Sequence, residues 1–144
     1  MLFRSAAAGA DGLLAVTPYY NRPPQEGVLA HFRAIADSTE LPMITYDIPK
    51  RSGVAIETET LVRLAEHPRV VANKDAKGDL EAAMWVMKRT ELAWYSGDDA
   101  LNLPLLAIGA AGFISVVGHL VGDRIKEMAE VYANGDVEIG RAHV

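Results

Sequence analysis

Short apolar runs alternate with longer amphipathic segments along almost the whole chain, and this alternation constrains the fold more than any other feature. Five runs have the continuous apolar character of strands that are covered on both faces: Gly12–Thr17, Pro42–Ile48, Val70–Lys74, Leu92–Ser96 and Gly112–Val117. A segment with helical periodicity follows each run. We therefore predict an α/β fold with parallel strands joined by right-handed crossovers.

The segments between the predicted strands carry helix signals. Apolar residues recur in them with the 3.6-residue period of an amphipathic helix. The predicted helices lie around Val28–Ala36 and at Thr58–Glu66, Leu80–Arg89, Leu101–Ile108 and Asp123–Asn134. Asp79 is a suitable N-cap for the third of these helices.

Two architectures fit this pattern, which lacks a glycine-rich phosphate loop. One is a doubly wound open sheet and the other is part of a (βα)8 barrel. The 144 residues make one ordinary domain, whereas a complete barrel needs about 250. The chain opens on what looks like the last turn of a helix, Ser5–Gly12, and Val137–Val144 starts a helical pattern that stops within about two turns. We therefore expect both ends to be truncated.

The composition argues against several function classes. Half of the residues are apolar and 23% are charged, which indicates a globular chain. The net charge of −5 provides no basic surface for nucleic acid or an anionic membrane. The chain has no cysteine, and its four histidines show no metal-ligand spacing. With no apolar run long enough to cross a membrane, we expect a cytoplasmic protein without a metal.

Polar side chains stand at the ends of the predicted strands, where α/β proteins collect their functional residues. Lys74 closes the third strand, and burial there would lower its pKa and leave a neutral amine that can attack a ketone. Tyr46, near the end of the second strand, could pass protons to and from the resulting imine. Taken alone, each residue is more often structural: a lysine that reaches solvent or pairs with Asp75, and a core tyrosine.

Other candidates have equally plausible structural roles. The guanidinium of Arg51 suits a substrate carboxylate, although a surface ion pair is the alternative. Tyr19 and Tyr20 precede a proline-rich turn and could pack in an interface. Asp98 and Asp99 could either cap the next helix or belong to a site.

Five ordered motifs span nearly the whole chain, from Ala8 to about Arg141: GADGLLAVTPYYNRPPQEG, YDIPKRSG, NKDAKGDL, YSGDDALNLP and GAAGFISV. With them the sequence resembles the dihydrodipicolinate synthase (4-hydroxy-tetrahydrodipicolinate synthase) family of pyruvate-dependent class I aldolases, which includes N-acetylneuraminate lyase. The resemblance implies a partial (βα)8 TIM barrel with strands 4 to 8 of the family barrel. Residues 1–144 would then form one incomplete domain without the first three βα units and most of the C-terminal helical region.

The resemblance also implies roles for individual residues. Lys74 matches the lysine that forms a Schiff base with pyruvate, and Tyr46 matches the tyrosine that acts as general acid and base. Tyr20 matches the relay tyrosine that reaches the active site of a neighbouring subunit. Arg51 matches the arginine that receives the carboxylate of the aldehyde substrate. The remaining matches are Ile114 beside bound pyruvate, Gly97 lining the pocket, and Tyr19 at the lysine-feedback site of the members that have one.

The implied activity is that of a lyase in the diaminopimelate and lysine pathway. An enamine formed from pyruvate on Lys74 would attack L-aspartate-4-semialdehyde, and cyclisation and release would regenerate the lysine. No cofactor is implied, because the imine itself is the electron sink, and the family's homotetramers imply a homo-oligomer. Two departures stand out. The family's Gly-Thr-Thr-Gly-Glu segment, with its pyruvate-binding and proton-relay threonines, is absent from the sequence, and Asn73 stands where many members carry an aliphatic residue.

Three hypotheses about function follow. The first is the synthase, impaired in this chain alone. The second is a related pyruvate-dependent sugar-acid aldolase or lyase, although the arginine in YDIPKRSG favours the synthase. The third is a non-catalytic, truncated half-barrel that binds ligands or other chains, because an isolated segment of five strands leaves open sheet edges.

Overall fold

A single sheet of five parallel strands organises the chain in a computed structural model, which describes residues 4–138. The strands are β1 (Leu13–Val16), β2 (Met43–Asp47), β3 (Val70–Asp75), β4 (Ala93–Ser96) and β5 (Gly112–Phe113). They pair in chain order, each parallel to the next. A doubly wound sheet reverses its strand order at a switch point, so the order excludes that alternative and favours an arc of a (βα)8 barrel.

Helices follow the strands, as the periodicity predicts. They are α1 (Arg4–Ala7), α2 (Gln25–Asp37), α3 (Pro49–Ser52), α4 (Thr58–Ala65), α5 (Leu80–Arg89), α6 (Asn102–Ala107) and α7 (Gly118–Ala133), with a 3-10 turn at Asp99–Leu101 before α6. Helix α4 packs between α2 and α5. Within residues 4–138, no helix combines the length and the apolar character that crossing a membrane requires.

Several local predictions are confirmed. The Asp79 carboxylate caps α5 by accepting a hydrogen bond from the backbone N–H of Ala82 at 3.0 Å. The first helix ends just before Gly9, which has a φ of +85° that suits glycine. Of the C-terminal helical pattern at Val137–Val144, residues 139–144 lie outside the described part of the chain.

The prediction for the fifth strand is wrong at its end. The strand stops at Phe113 rather than Val117, because the backbone N–H groups of Val116 and Val117 donate to the Asp99 carboxylate instead of to a neighbouring strand. Helix α7 begins with a short turn at Gly118, whose N–H donates to the Ser115 hydroxyl at 2.8 Å, and the backbone kinks at Val121. The longer part of the helix after this kink begins close to the predicted Asp123. A long-range contact, that of Asp99, decides where the strand ends.

The core lies between the sheet and its helices. Fully buried apolar side chains come from α2, α4, α5 and α6: Val28, Phe32, Leu61, Leu64, Val86 and Leu105. The opposite face of the sheet is open within residues 4–138, since Leu14, which points away from the core beside buried Ala15, is 49% exposed. One packed face and one open face are what the arc of a barrel presents when nothing fills the barrel interior.

We expect side chains on the two faces of the sheet to contribute differently to stability when each is replaced by alanine. Phe32→Ala removes a completely buried ring and should lower the free energy of unfolding by about 3–5 kcal/mol. Leu14→Ala, on the open face, should cost less than about 1 kcal/mol. Urea unfolding followed by circular dichroism measures both values. Equal costs would contradict the open face.

Candidate active site

The pairing of β2 with β3 brings the two chemically most informative residues together. Tyr46 and Lys74 are register partners, and Lys74 also pairs with Tyr95 of β4. Partners in a parallel sheet point to the same face. The Lys74 Nζ atom accordingly lies 4.1 Å from the centre of the Tyr46 ring. The predicted amine and the predicted proton relay are therefore neighbours at the carboxyl end of the sheet, on its open face.

Lys74 is buried although the face that carries it is open. Only 7% of the residue is exposed. Burial lowers the pKa of the Lys74 amine below its usual value, while the Asp99 carboxylate acts in the opposite direction. A lowered pKa increases the fraction of neutral amine at a given pH, and the neutral amine is the nucleophilic form.

Gly97 leaves room for the lysine stem. A Cβ atom at this position would stand 2.8 Å from Cε and 3.0 Å from Cγ of Lys74. The Gly97 N–H donates to the carbonyl oxygen of Asp75 at 2.7 Å, which holds the backbone against the end of β3. The next strand continues this edge, because the Ile114 N–H donates to the Ser96 carbonyl at 2.8 Å. Gly97 thus follows the strand next to that of the lysine, and half-buried Ile114 follows the strand after it.

Tyr46 is suited to donate a proton. Partial burial raises the pKa of its hydroxyl, and the nearby Arg51 guanidinium acts in the opposite direction. A phenol with a raised pKa stays protonated at neutral pH. It can therefore donate a hydrogen bond or a proton to an oxygen atom formed next to the amine.

Arg51 and the two tyrosines line a separate, exposed groove of about 530 Å³. Arg51 sits on the single-turn helix α3, which ends at Gly53 with a φ of +80°. Tyr19 is 70% exposed and Tyr20 is 95% exposed, so the fold does not place either ring against Lys74. The predicted role of Tyr20 in a neighbouring subunit stays a prediction, as does the feedback role of Tyr19.

Asp99 has a function that sequence reasoning left undecided. Asp98 caps the 3-10 turn by accepting from the Ala100 N–H at 3.2 Å. The Asp99 carboxylate instead accepts from the N–H groups of Val116 at 3.0 Å and Val117 at 3.1 Å. Although burial opposes ionisation, a hydrogen bond from the Ser115 hydroxyl and those from the two N–H groups hold the pKa of Asp99 below its usual value. Asp99 thereby fixes the loop that follows β5.

The unusual Asn73 lies on the other side of the sheet from Lys74. It is completely buried, and its Oδ1 atom accepts a hydrogen bond from the Thr45 hydroxyl at 2.8 Å. Its Nδ2 atom has no partner among the described residues. The amide therefore does not enter the environment of the lysine.

In residues 4–138, no group of three or more His, Cys, Asp or Glu side chains could hold a metal ion.

Comparisons with known proteins identify the family and the fold that this chain resembles. The sequence model of the Dihydrodipicolinate synthetase family matches residues 3–143. The chain is 67% identical over 130 residues to 4-hydroxy-tetrahydrodipicolinate synthase 2 of Streptomyces coelicolor, a match that covers 90% of this chain and 44% of that protein.

Solved structures give the same answer for the fold. The crystal structure of DHDPS from Cyanidioschyzon merolae with lysine bound matches with a TM-score of 0.92 and 46% identity, over 98% of this chain and 49% of that one. The chloride-inhibited dihydrodipicolinate synthase from Acinetobacter baumannii, complexed with pyruvate, matches with a TM-score of 0.88 and 40% identity, over 96% and 48%. These matches confirm the predicted partial barrel with parallel strands. The chain spans less than half the length of these relatives, and the predicted extent of the missing units stays a prediction.

The close approach of Gly97 to Lys74 can be tested directly. In Gly97→Ala the new methyl group must displace the lysine stem, at a cost of about 1–3 kcal/mol of stability. We expect the displaced amine to be better hydrated, so its pKa should rise toward 10.5. Lysine labelled with ¹³C at Cε and titrated by NMR measures this pKa.

Gly122→Ala is the matched control, since a Cβ at position 122 meets nothing within 4 Å. It should leave the Lys74 titration unchanged. An unchanged titration in Gly97→Ala would show that the glycine does not shape the lysine environment.

Proposed function

The chain belongs to the dihydrodipicolinate synthetase family, and we propose that it carries the imine-forming part of the active site of a 4-hydroxy-tetrahydrodipicolinate synthase, a lyase. One observation carries the proposal: the buried Lys74 amine, with its lowered pKa, lies 4.1 Å from the centre of the Tyr46 ring. An amine in that state is a nucleophile for a keto acid, and the adjacent phenol can exchange protons with the adduct.

In the proposed reaction, the neutral Lys74 amine attacks the keto carbon of pyruvate. The Tyr46 hydroxyl protonates the oxygen of the carbinolamine, water leaves, and a protonated imine forms. Loss of a proton from the pyruvate methyl group gives an enamine, whose carbon attacks the aldehyde of L-aspartate-4-semialdehyde. Cyclisation then releases the product and restores the lysine. The imine accepts the electron pair throughout, so the proposal includes no cofactor.

Arg51 is proposed to bind the carboxylate of the aldehyde substrate. Its position in a groove that also contains Arg22 and Lys50 supports this role, because three cations there attract an anion. Ile114 and Gly97 are proposed to contact pyruvate. The pyruvate bound to the A. baumannii relative supports pyruvate as the keto acid.

Two further proposals concern assembly and regulation. The exposed rings of Tyr19 and Tyr20 support contact with another copy of the chain, and we propose a homo-oligomer in which Tyr20 serves a neighbouring site. The lysine bound to the C. merolae relative supports a feedback site near Tyr19. A cytoplasmic location, typical of amino-acid biosynthesis, is part of the same proposal.

The open face favours low turnover by this chain alone. Exposed Leu14 lies on the sheet face that carries Lys74, because Val16, two residues further along β1, pairs with Tyr46. The site therefore lacks part of its enclosure within residues 4–138. We propose that imine formation, which needs only the amine and its neighbours, is less affected than condensation with the aldehyde. A non-catalytic binding role is the alternative that the open face supports.

The imine is the first expected outcome. Incubation with pyruvate and borohydride should reduce it to a stable adduct, which peptide mass spectrometry locates at Lys74. The rate of trapping should rise with pH as the amine loses its proton. Because burial lowers the pKa of Lys74, the rate should reach its plateau at a lower pH than it would for an ordinary lysine. Lys74→Ala should give no adduct, and exposed Lys50→Ala should give the wild-type yield. An adduct that persists in Lys74→Ala would contradict the assignment of Lys74 as the imine-forming residue.

Arg51 should affect only the second half of the reaction. We expect Arg51→Ala to keep the exchange of pyruvate methyl protons with deuterated water, measured by NMR, within about twofold. The kcat/KM for the aldehyde should fall by roughly 10- to 100-fold, because the variant loses a charge-assisted bidentate contact between the guanidinium and the substrate carboxylate. Arg124→Ala, which removes an exposed arginine of α7, is the matched control for general loss of positive charge. An unaltered kcat/KM for the aldehyde in Arg51→Ala would favour the sugar-acid aldolase hypothesis.

A further inference from the structure

Two buried carboxylates lie directly behind the Lys74–Tyr46 pair. Asp47 follows Tyr46, Asp75 follows Lys74, and the two aspartates are themselves register partners. Each aspartate is only 1% exposed. Because side chains alternate along a strand, both carboxylates point away from the open face. A buried charge needs compensating partners, and neither carboxylate takes part in the reaction proposed above.

Lys77 supplies the countercharge for Asp47. Its Nζ atom lies 3.5 Å from Oδ2 of Asp47 and donates to the carbonyl oxygen of Ile56 at 3.3 Å. The Ile56 N–H in turn donates to Oδ1 of Asp47 at 3.1 Å. The segment after Lys74 is also tied to the end of β2 by its backbone, since the Ala76 N–H donates to the Asp47 carbonyl at 2.8 Å.

Asp75 has different partners and a different task. Its Oδ1 atom accepts from the N–H groups of Lys77 at 2.8 Å and Gly78 at 3.1 Å, and its Oδ2 atom accepts from the Trp94 indole at 3.2 Å. Asp75 therefore shapes the turn from which the side chain of Lys77 reaches Asp47. The same turn begins one residue after Lys74, so its position is coupled to that of the amine.

We propose that Asp47 and Lys77 are a positioning pair for the Lys74–Tyr46 site. Their buried bridge ties the ends of β2 and β3 together on one face and thereby holds the amine against the phenol on the other. Displacements of about 1 Å at reacting groups can cost 10²-fold in rate. The inference rests on the proposed function for its rate measurements, but the position of the lysine can be measured without it.

The bridge depends on pH in a direction that can be stated. Among the described residues, the charged groups acting on the Asp47 carboxyl are Lys77 and Asp75. Burial raises the pKa of Asp47 to about 6, the Ile56 N–H and Lys77 oppose the rise, and Asp75 adds to it. Above that pH the carboxylate is ionised and bridges Lys77. Below it the protonated carboxyl loses the bridge, yet the fold gains stability, because an acid with a raised pKa binds its proton more tightly in the folded state.

Loss of the Asp47 charge should therefore slow imine formation without lowering the stability of the fold. This difference distinguishes a positioning role from ordinary structural support. Asp47→Asn keeps an oxygen for the Ile56 N–H and removes the buried charge. Because burial raises the pKa of Asp47 to about 6, its negative charge costs stability at pH 8. The Lys77 side chain that loses its partner is partly exposed, so its ammonium group can turn to solvent. We therefore expect Asp47→Asn to be at least as resistant to urea as the wild type at pH 8, while the imine forms more slowly.

The experiment is a double-mutant cycle in the full chain with Asp47→Asn, Lys77→Met and the double variant. Borohydride trapping of the pyruvate imine between pH 5 and 9 gives the rates. We expect each single variant to be roughly tenfold slower at pH 8, and the double variant to be no slower than the slower single variant. The wild type should lose additional rate below about pH 6, and Asp47→Asn should lack this additional loss.

Asp79→Asn is the matched control. It also neutralises an aspartate next to this turn, but Asp79 is exposed and asparagine caps a helix about as well as aspartate, so the variant should leave both stability and the rate of trapping nearly unchanged. Single-variant effects that multiply in the double variant would overturn the proposal. The proposal would also be overturned if Asp47→Asn trapped pyruvate at the same rate and with the same pH profile as the wild type. A third contradicting result would be that Asp47→Asn loses stability to urea at pH 8 to the same extent, in free energy, as it loses rate.

An NMR measurement keeps the two proposals distinguishable. Lysine labelled with ¹³C at Cε reports the position and titration of Lys74 without any substrate. If the wild type traps no pyruvate, the proposed function fails, and the chemical shift and pKa of Lys74 still decide the positioning pair. Both should change in Asp47→Asn and remain unchanged in Asp79→Asn. An unchanged Lys74 signal in Asp47→Asn overturns the pair.

Discussion

The register between β2 and β3 decides which chemistry faces which side of the sheet. Tyr46 pairs with Lys74, and Asp47 pairs with Asp75. The register shifts after Met43, where Val71 is passed over without a partner. Without that extra residue, Lys74 would pair with Asp47, and an ion pair between neighbouring strands would replace the contact between amine and phenol. A single irregularity at the start of the two strands therefore decides which side chains meet at their carboxyl ends.

The two faces of this strand pair hold charge in different ways. On the open face, Lys74 is desolvated mainly by its own neighbours, and the Asp99 carboxylate is held ionised by a loop that donates backbone N–H groups to it. On the packed face, Asp47 keeps its charge near neutral pH against a strong desolvation penalty, with Lys77 close by. Burying that pair does not make the fold more stable than a neutral pair would. In the proposal above, the ion pair of Asp47 and Lys77 holds the ends of β2 and β3 together, and a neutral pair would not do so.

The strands and most helices were predictable from the sequence because they depend on local patterns. Continuous apolar runs located β1 to β4 within one or two residues, and Asp79 marked the start of α5. The end of β5 was not predictable, since it depends on Asp99, which lies 17 residues before Val116. For the same reason the ion pair between Lys77 and Asp47 was not predictable, since Asp47 lies 30 positions earlier in the chain. The position of Lys74 was predictable from its place at a strand end, but the β-bulge that orients it was not.

Activation of the amine and enclosure of the substrate depend on different parts of the fold. The groups that bury Lys74 are all local: the Tyr46 ring lies beside it, and Gly97 allows the backbone to approach its stem. Exposed Leu14, in contrast, needs a covering layer that the described residues do not supply. Water excluded from the amine by its own neighbours keeps the pKa of Lys74 low even on an open face. Charge development later in the reaction has no such local protection, because an open face leaves the dielectric constant around the substrate high. The proposed function therefore predicts that, in this chain alone, imine formation at Lys74 is better supported than condensation with the aldehyde.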